Sequence, residues 1–168
     1  MKRLQKFILV SVVTAAFITL IASCSGSKKN STALPGITPT LAAAFKKDFL
    51  IGTALNTNQI EEKEPNAAVL IPQQFNAVTP ENIMKSEVIH PQWDTYNFDL
   101  ADKIVVYGKK YNIKVNGHTL IWHSQLPAFV RNMKDADSVK QFFTNHINTV
   151  AGRYEGKVFS WEIGRAHV

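Results

Sequence analysis

The chain has 168 residues, 18.8 kDa, 19 Lys+Arg against 13 Asp+Glu and a single cysteine, which allows one globular domain and excludes an internal disulfide framework. No Cys or His cluster has zinc-finger spacing, so stability must come from a packed core rather than a structural metal. The formal charge of +6 does not make a nucleic-acid footprint: Lys2, Arg3 and Lys6 stand at the extreme N-terminus, and the other 16 basic residues are scattered among the 13 acidic ones.

Those three basic residues precede residues 7–22, an uncharged and mostly apolar run of sixteen. Basic residues, an apolar run and then small residues read as a secretory signal. The run is shorter than the roughly 20 residues a spanning helix needs, which argues against a permanent transmembrane anchor. Ile21-Ala22-Ser23-Cys24 resembles a bacterial lipobox, so residues 1–23 are expected to be a lipoprotein-type signal peptide and Cys24 the lipid-bearing residue. An ordinary cleavage site with an incidental cysteine is the alternative. The expected location is across the inner membrane, lipid-anchored in the periplasm or at the cell surface. Residues 24–40, rich in Ser, Lys, Gly, Pro and Thr, read as a flexible tether.

From Leu41 onward, apolar runs of strand length alternate with amphipathic runs of helix length, the pattern of βαβ units and a parallel sheet. Strands are predicted over 49–54, 75–79, 115–118 and 158–161. A helix is predicted over 99–111, with Leu100, Ile104, Tyr107 and Tyr111 on one face and Asn112 at its end. Another is predicted over 137–154, with Val139, Phe142, Phe143, His146, Ile147 and Val150. His146 is expected to pack with that stripe. The fold class is α/β. An eight-stranded barrel needs about 250 residues, so these units form either a small open sheet or part of a larger barrel.

Two segments crowd polar residues where a strand should end, and in parallel α/β folds ligands sit at those ends. The first, V-T-P-E-N-I-M-K over 78–85, puts Glu81, Asn82 and Lys85 in one loop. They could take sugar hydroxyls, or form a solvated loop with a Glu81–Lys85 ion pair. The second, G-H-T-L-I-W-H-S-Q-L-P over 117–127, holds His118, Trp122, His123 and Gln125. If extended, it would place His118 and Trp122 on one face and His123 on the other, which argues against paired metal ligands. An indole beside His and Gln suits a sugar, whose C–H face rests on the ring while polar groups take its hydroxyls. Plain core packing of Trp122 is the alternative.

These two motifs, with Y-N-F-D-L-A-D-K over 96–103 between them, resemble in order and interval the N-terminal half of family 10 glycoside hydrolases, most of them endo-1,4-β-xylanases. The resemblance runs from about residue 49 to 161. It implies a (β/α)8 TIM barrel in the parent protein, of which 41–161 would hold the first three βα units and strand four. It also implies xylan or xylo-oligosaccharides as partner. Asn82 and Lys85, with Glu81 beside them, match residues that hydrogen-bond xylose units on the non-reducing side of the cut. His118 and Trp122 match the sugar position next to the scissile bond, Gln125 a further groove contact, and His123 another motif position.

The family's reaction is retaining hydrolysis, one Glu protonating the leaving oxygen and a second attacking the anomeric carbon from about 5 Å across the sugar. No cofactor and no metal enter that scheme. In the family, strand four reads W-D-V-V-N-E and ends on the acid/base. Here Trp161 is followed by Glu162 in the Asp position, and the acid/base position falls near Ala166. No catalytic residue is therefore expected in this chain, and no cleavage of xylan. Residues 162–168 read as the translation of a sequencing-library adapter (GAG ATC GGA AGA GCA CAC GTC) and are expected to be a non-native tail. The competing reading is a non-catalytic sugar-binding lipoprotein using Trp122, His118 and Asn82.

Overall fold

The structure, a computed structural model, describes residues 39–165. The signal peptide, Cys24, most of the tether and residues 166–168 lie outside the described residues.

Thr40 opens the fold by accepting a hydrogen bond from Ala43 N at 3.2 Å, which caps α1 (Leu41–Ala44). β1 (Gly52–Leu55) follows, three residues later than its predicted start. Phe49 and Leu50 are apolar but exposed, because the parallel ladder begins only where Ile51 bonds to Asn76 and Ala77. Asn56 and Gln59 form a reciprocal capping box at α2 (Thr57–Ile60), and Pro65 sits in the first turn of α3 (Pro65–Gln74), where its missing N–H costs nothing.

β2 (Ala77–Pro80) leads through a turn to the short α4 (Ser86–Ile89). α5 (Asp99–Tyr111) keeps its predicted bounds; it buries Ala101, Ile104, Tyr107 and Gly108, and Asn112 ends it at φ 54° in the left-handed region. Leu100 and Tyr111 are half-buried at the margin of that face. Gly108 is required: a Cβ there would lie 2.6 Å from the Val115 side chain and 2.8 Å from the Ile113 carbonyl oxygen.

β3 (Lys114–Gly117), β4 (Ile121–Trp122), a 3-10 turn (His123–Gln125), α6 (Ala128–Arg131) and α7 (Ala136–Arg153) come next. Asp135 caps α7 through Ser138 N at 2.8 Å, and the helix buries Phe142, His146 and Val150. β5 (Ser160–Trp161) and β6 (Gly164–Arg165) close the described chain.

The sheet order is β1-β2-β3-β5, with every pair parallel, and β4 pairs in parallel with β6. Leu55, Val78 and Val115 on the strands pack with Ile104, Tyr107 and Val150 on the helices in one apolar core. Burial of this kind contributes about 25 cal/mol per Å² of apolar surface removed from water. Because β2 and β3 are hydrogen-bonded neighbours, the loops that leave their C-terminal ends emerge side by side.

Candidate functional site

The loop after β2 begins at Glu81, whose N–H donates to the Leu55 carbonyl at 3.0 Å, while its side chain stays exposed. Asn82 and Lys85 form a closed turn. The Lys85 N–H donates to the Asn82 carbonyl at 3.0 Å, and Lys85 Nζ donates to Asn82 Oδ1 at 2.8 Å. Lys85 is only 6% exposed. Its ammonium lies 4.6 Å from the centroid of the Trp122 ring, so a cation–π contact joins the two candidate segments.

Gln125 completes the link. Its Nε2 donates to Asn82 Oδ1 at 3.4 Å and to Glu87 Oε1 at 3.2 Å, and its carbonyl accepts from Ser86 Oγ at 3.1 Å. With Oδ1 of Asn82 held by Lys85 and Gln125, the amide NH2 is the group Asn82 presents. The arrangement is a cluster of oriented donors next to a half-buried indole, which suits a polyhydroxylated ligand.

The second segment departs from its predicted shape. β3 ends at Gly117, β4 is a separate two-residue strand, and residues 123–125 turn as a 3-10 helix, so no single extended run carries 118–123. The break has a local cause: Leu120 N and Thr119 Oγ1 both donate to the Glu162 carbonyl, at 3.1 and 2.9 Å, which draws the chain toward β6. Alternation therefore does not decide which side chains meet. Trp122 meets Lys85, whereas His118 Nδ1 lies 2.7 Å from Glu162 Oε2. His123 is exposed, its ring edge-on to Trp122 at 6.0 Å.

Asn82, Lys85, Trp122 and Gln125 thus come together, His118 is paired with the Glu162 carboxylate, and Glu81 and His123 are exposed. Among the described residues no group of three or more His, Cys, Asp or Glu is placed to hold a metal ion. Ser86, Glu87 and Glu162 carry bonds that sequence reading missed. The first two follow Lys85 in a run with no distinctive pattern, and Glu162 is brought in by the β4–β6 pairing.

The model of the family described as "Glycosyl hydrolase family 10" matches residues 40–164. The chain belongs to glycosyl hydrolase family 10. Endo-1,4-beta-xylanase 2 of Claviceps purpurea is 40% identical over 126 residues, 74% of this chain and 38% of that protein. Endo-1,4-beta-xylanase A of Xylanibacter ruminicola is 38% identical over 130 residues, 74% of this chain and 35% of the relative. Among solved structures, a family 10 xylanase of Thermobacillus composti superposes with TM-score 0.70 at 35% identity, covering 77% of this chain and 40% of that one. A mutant structure in complex with xylotriose superposes with TM-score 0.66 at 38% identity, covering 74% of this chain and 38% of that one. This family 10 chain therefore spans 35–40% of the length of the four proteins just named, and its four parallel strands with their helices form part of a (β/α)8 barrel.

Proposed function

We propose that this chain supplies the non-reducing side of the xylan-binding groove of an endo-1,4-β-xylanase. The observation that carries the reading is the convergence of Asn82, Lys85, Gln125 and Trp122 at the C-terminal ends of two hydrogen-bonded parallel strands. Both curated relatives named above are endo-1,4-β-xylanases, and the xylotriose complex supports an oligosaccharide of this class. A xylose ring would rest on the Trp122 indole while Asn82 and Lys85 donate to its hydroxyls. His118 would serve the sugar nearest the cut. In the whole protein the reaction would be retaining hydrolysis by two glutamates. With Ala166 near the acid/base position, this chain binds without cleaving.

Titration with xylotriose, followed by calorimetry and by release of reducing sugar, tests the reading. Saturable binding without release is expected. Trp122→Ala is expected to weaken binding about tenfold, ~1.4 kcal/mol. Absence of binding, or equal affinity in Trp122→Ala, overturns it.

We infer further that Cys24 carries the lipid that anchors the protein to a membrane after secretion, supported by the basic residues, the apolar run and Ile21-Ala22-Ser23-Cys24. Incorporation of labelled palmitate that is lost in Cys24→Ser is the expected result, and equal labelling of both overturns it.

A further inference from the structure

Beneath the groove lie two histidines that the substrate reading does not use. His90 ends α4 and is 1% exposed; His146, in the middle of α7, is 0% exposed. Their rings stack at 5.4 Å with an interplanar angle of 8°, and their Nδ1 atoms lie 3.3 Å apart. Tyr96 stacks on the His90 ring at 3.9 Å, and Phe142 stacks on both rings at 4.7 and 5.8 Å.

The hydrogen bonds determine where the protons sit. The Trp93 carbonyl is 2.8 Å from His90 Nε2 and can only accept, so Nε2 carries the His90 proton and Nδ1 is an acceptor. His146 must then donate from its own Nδ1. Its Nε2 is buried and makes no well-aligned hydrogen bond, the backbone of Leu120 being the polar group near the ring. The pair as built is neutral, with two protons on four nitrogens.

We propose that this neutral His90–His146 pair positions both substrate-contacting segments against α7, and that adding a proton to it releases them. The reading of those segments as substrate-contacting is the one given above, and this inference rests on it. His90 closes the segment that carries Asn82 and Lys85. The His146 ring lies by the backbone of Leu120, within the segment that carries His118 and Trp122. The Ser86–Gln125 hydrogen bond ties the two segments to each other. Both therefore answer to one buried contact.

Asp94 and the Trp93 carbonyl favour charge on His90, but its burial outweighs them and holds it below the ordinary histidine range. Burial and then the neighbouring His90 push His146 down to about 4, opposed by the Leu120 backbone. Among the described residues Tyr96 is the other titratable side chain stacked on the pair, and Phe142 carries no charge. Folded His146 thus binds fewer protons than the unfolded chain below the ordinary histidine value of 6.5. The contact is fully stabilising above that value and is lost as pH falls from 6.5 toward about 4.

Hydrogen exchange of the full chain, read in peptides over 82–90, 118–126 and 136–153 and corrected for the intrinsic pH dependence, tests the proposal. Wild type should lose protection in all three peptides by about tenfold or more between pH 7 and pH 4.5. His146→Asn keeps an amide donor for His90 without a titrating ring, so it should hold near-normal protection at pH 7 and lose most of the acid response. His146→Leu should be less protected at every pH, with a similarly flat profile. A wild type without the acid response, or an equal response in His146→Asn, overturns the proposal. Xylotriose affinity is measured in the same series and should fall with acid more in wild type than in His146→Asn. The exchange pattern without xylotriose binding at pH 7 overturns the substrate reading and leaves the pair's positioning of the two loops in place.

Discussion

At the scale of single residues, the tightest constraint near the groove is Gly117, the last residue of β3. A Cβ at this position would stand 2.2 Å from Cε3 of Trp161 and 2.4 Å from Cζ3, inside the contact distance of any real pair. The Trp161 ring fills the space a side chain would take, because β3 and β5 are in register with Gly117 opposite Trp161. Gly117→Ala must push the ring or split the strands. Overpacking of this kind costs about 1–3 kcal/mol, and the cost should appear as a lower urea midpoint. Since Glu162 N donates to the Gly117 carbonyl at 2.9 Å, the same substitution should also disturb the Glu162 carboxylate that holds His118. An unchanged midpoint with unchanged xylotriose affinity would show that Trp161 moves freely. Nothing in the local sequence around Gly117 signals this contact, because it joins residues 44 positions apart; composition shows only an Asn-Gly-His string at the end of an apolar run.

At the scale of elements, what was legible depended on length and pattern. α5 repeats its apolar positions over three turns and ends on Asn112, whose short amide side chain tolerates the left-handed conformation, so its bounds follow from local rules. The strands are only two to four residues long, too short for periodicity to set a register, and their neighbours decide where pairing begins. β4 shows the same limit more sharply. Its existence depends on β6, a partner more than forty residues downstream. His90 escaped notice for a related reason, since a single histidine before a proline acquires meaning only when α7 brings His146 against it. Local capping, by contrast, supports a prediction at this scale. Asn56 and Gln59 each accept a backbone N–H of the other at 3.0–3.1 Å, so Asn56→Ala should cost about 1 kcal/mol by urea denaturation. Asn56→Ser, which retains an acceptor oxygen, should recover most of that loss. Equal destabilisation by both would assign the role of Asn56 to packing instead.

At the scale of the whole molecule, the sheet presents two edges among the described residues. β1 pairs with β2 alone and β5 with β3 alone, so each offers unpaired backbone groups on its other side. Apolar side chains gather near the same edges: Phe49 and Leu50 before β1, and Phe159 and Ile163 flanking β5, are 40–68% exposed. In a closed (β/α)8 barrel these edges would pair with further strands and the side chains would be covered. Exposed parallel edges of this kind template pairing with other chains, and charged residues placed on an edge suppress it. Lys114, with its ammonium 3.9 Å above the Phe159 ring, shields one of them in part. Sedimentation of the 168-residue chain should therefore show concentration-dependent species larger than a monomer at micromolar concentration. Leu50→Lys with Ile163→Lys, one charge at each edge, should shift the distribution toward monomer while leaving the buried core untouched, because both side chains are exposed. If the unmodified chain instead sediments as a monomer and melts in one sharp transition, the two edges are satisfied within a single copy, and the half-open sheet does not govern the behaviour of the molecule.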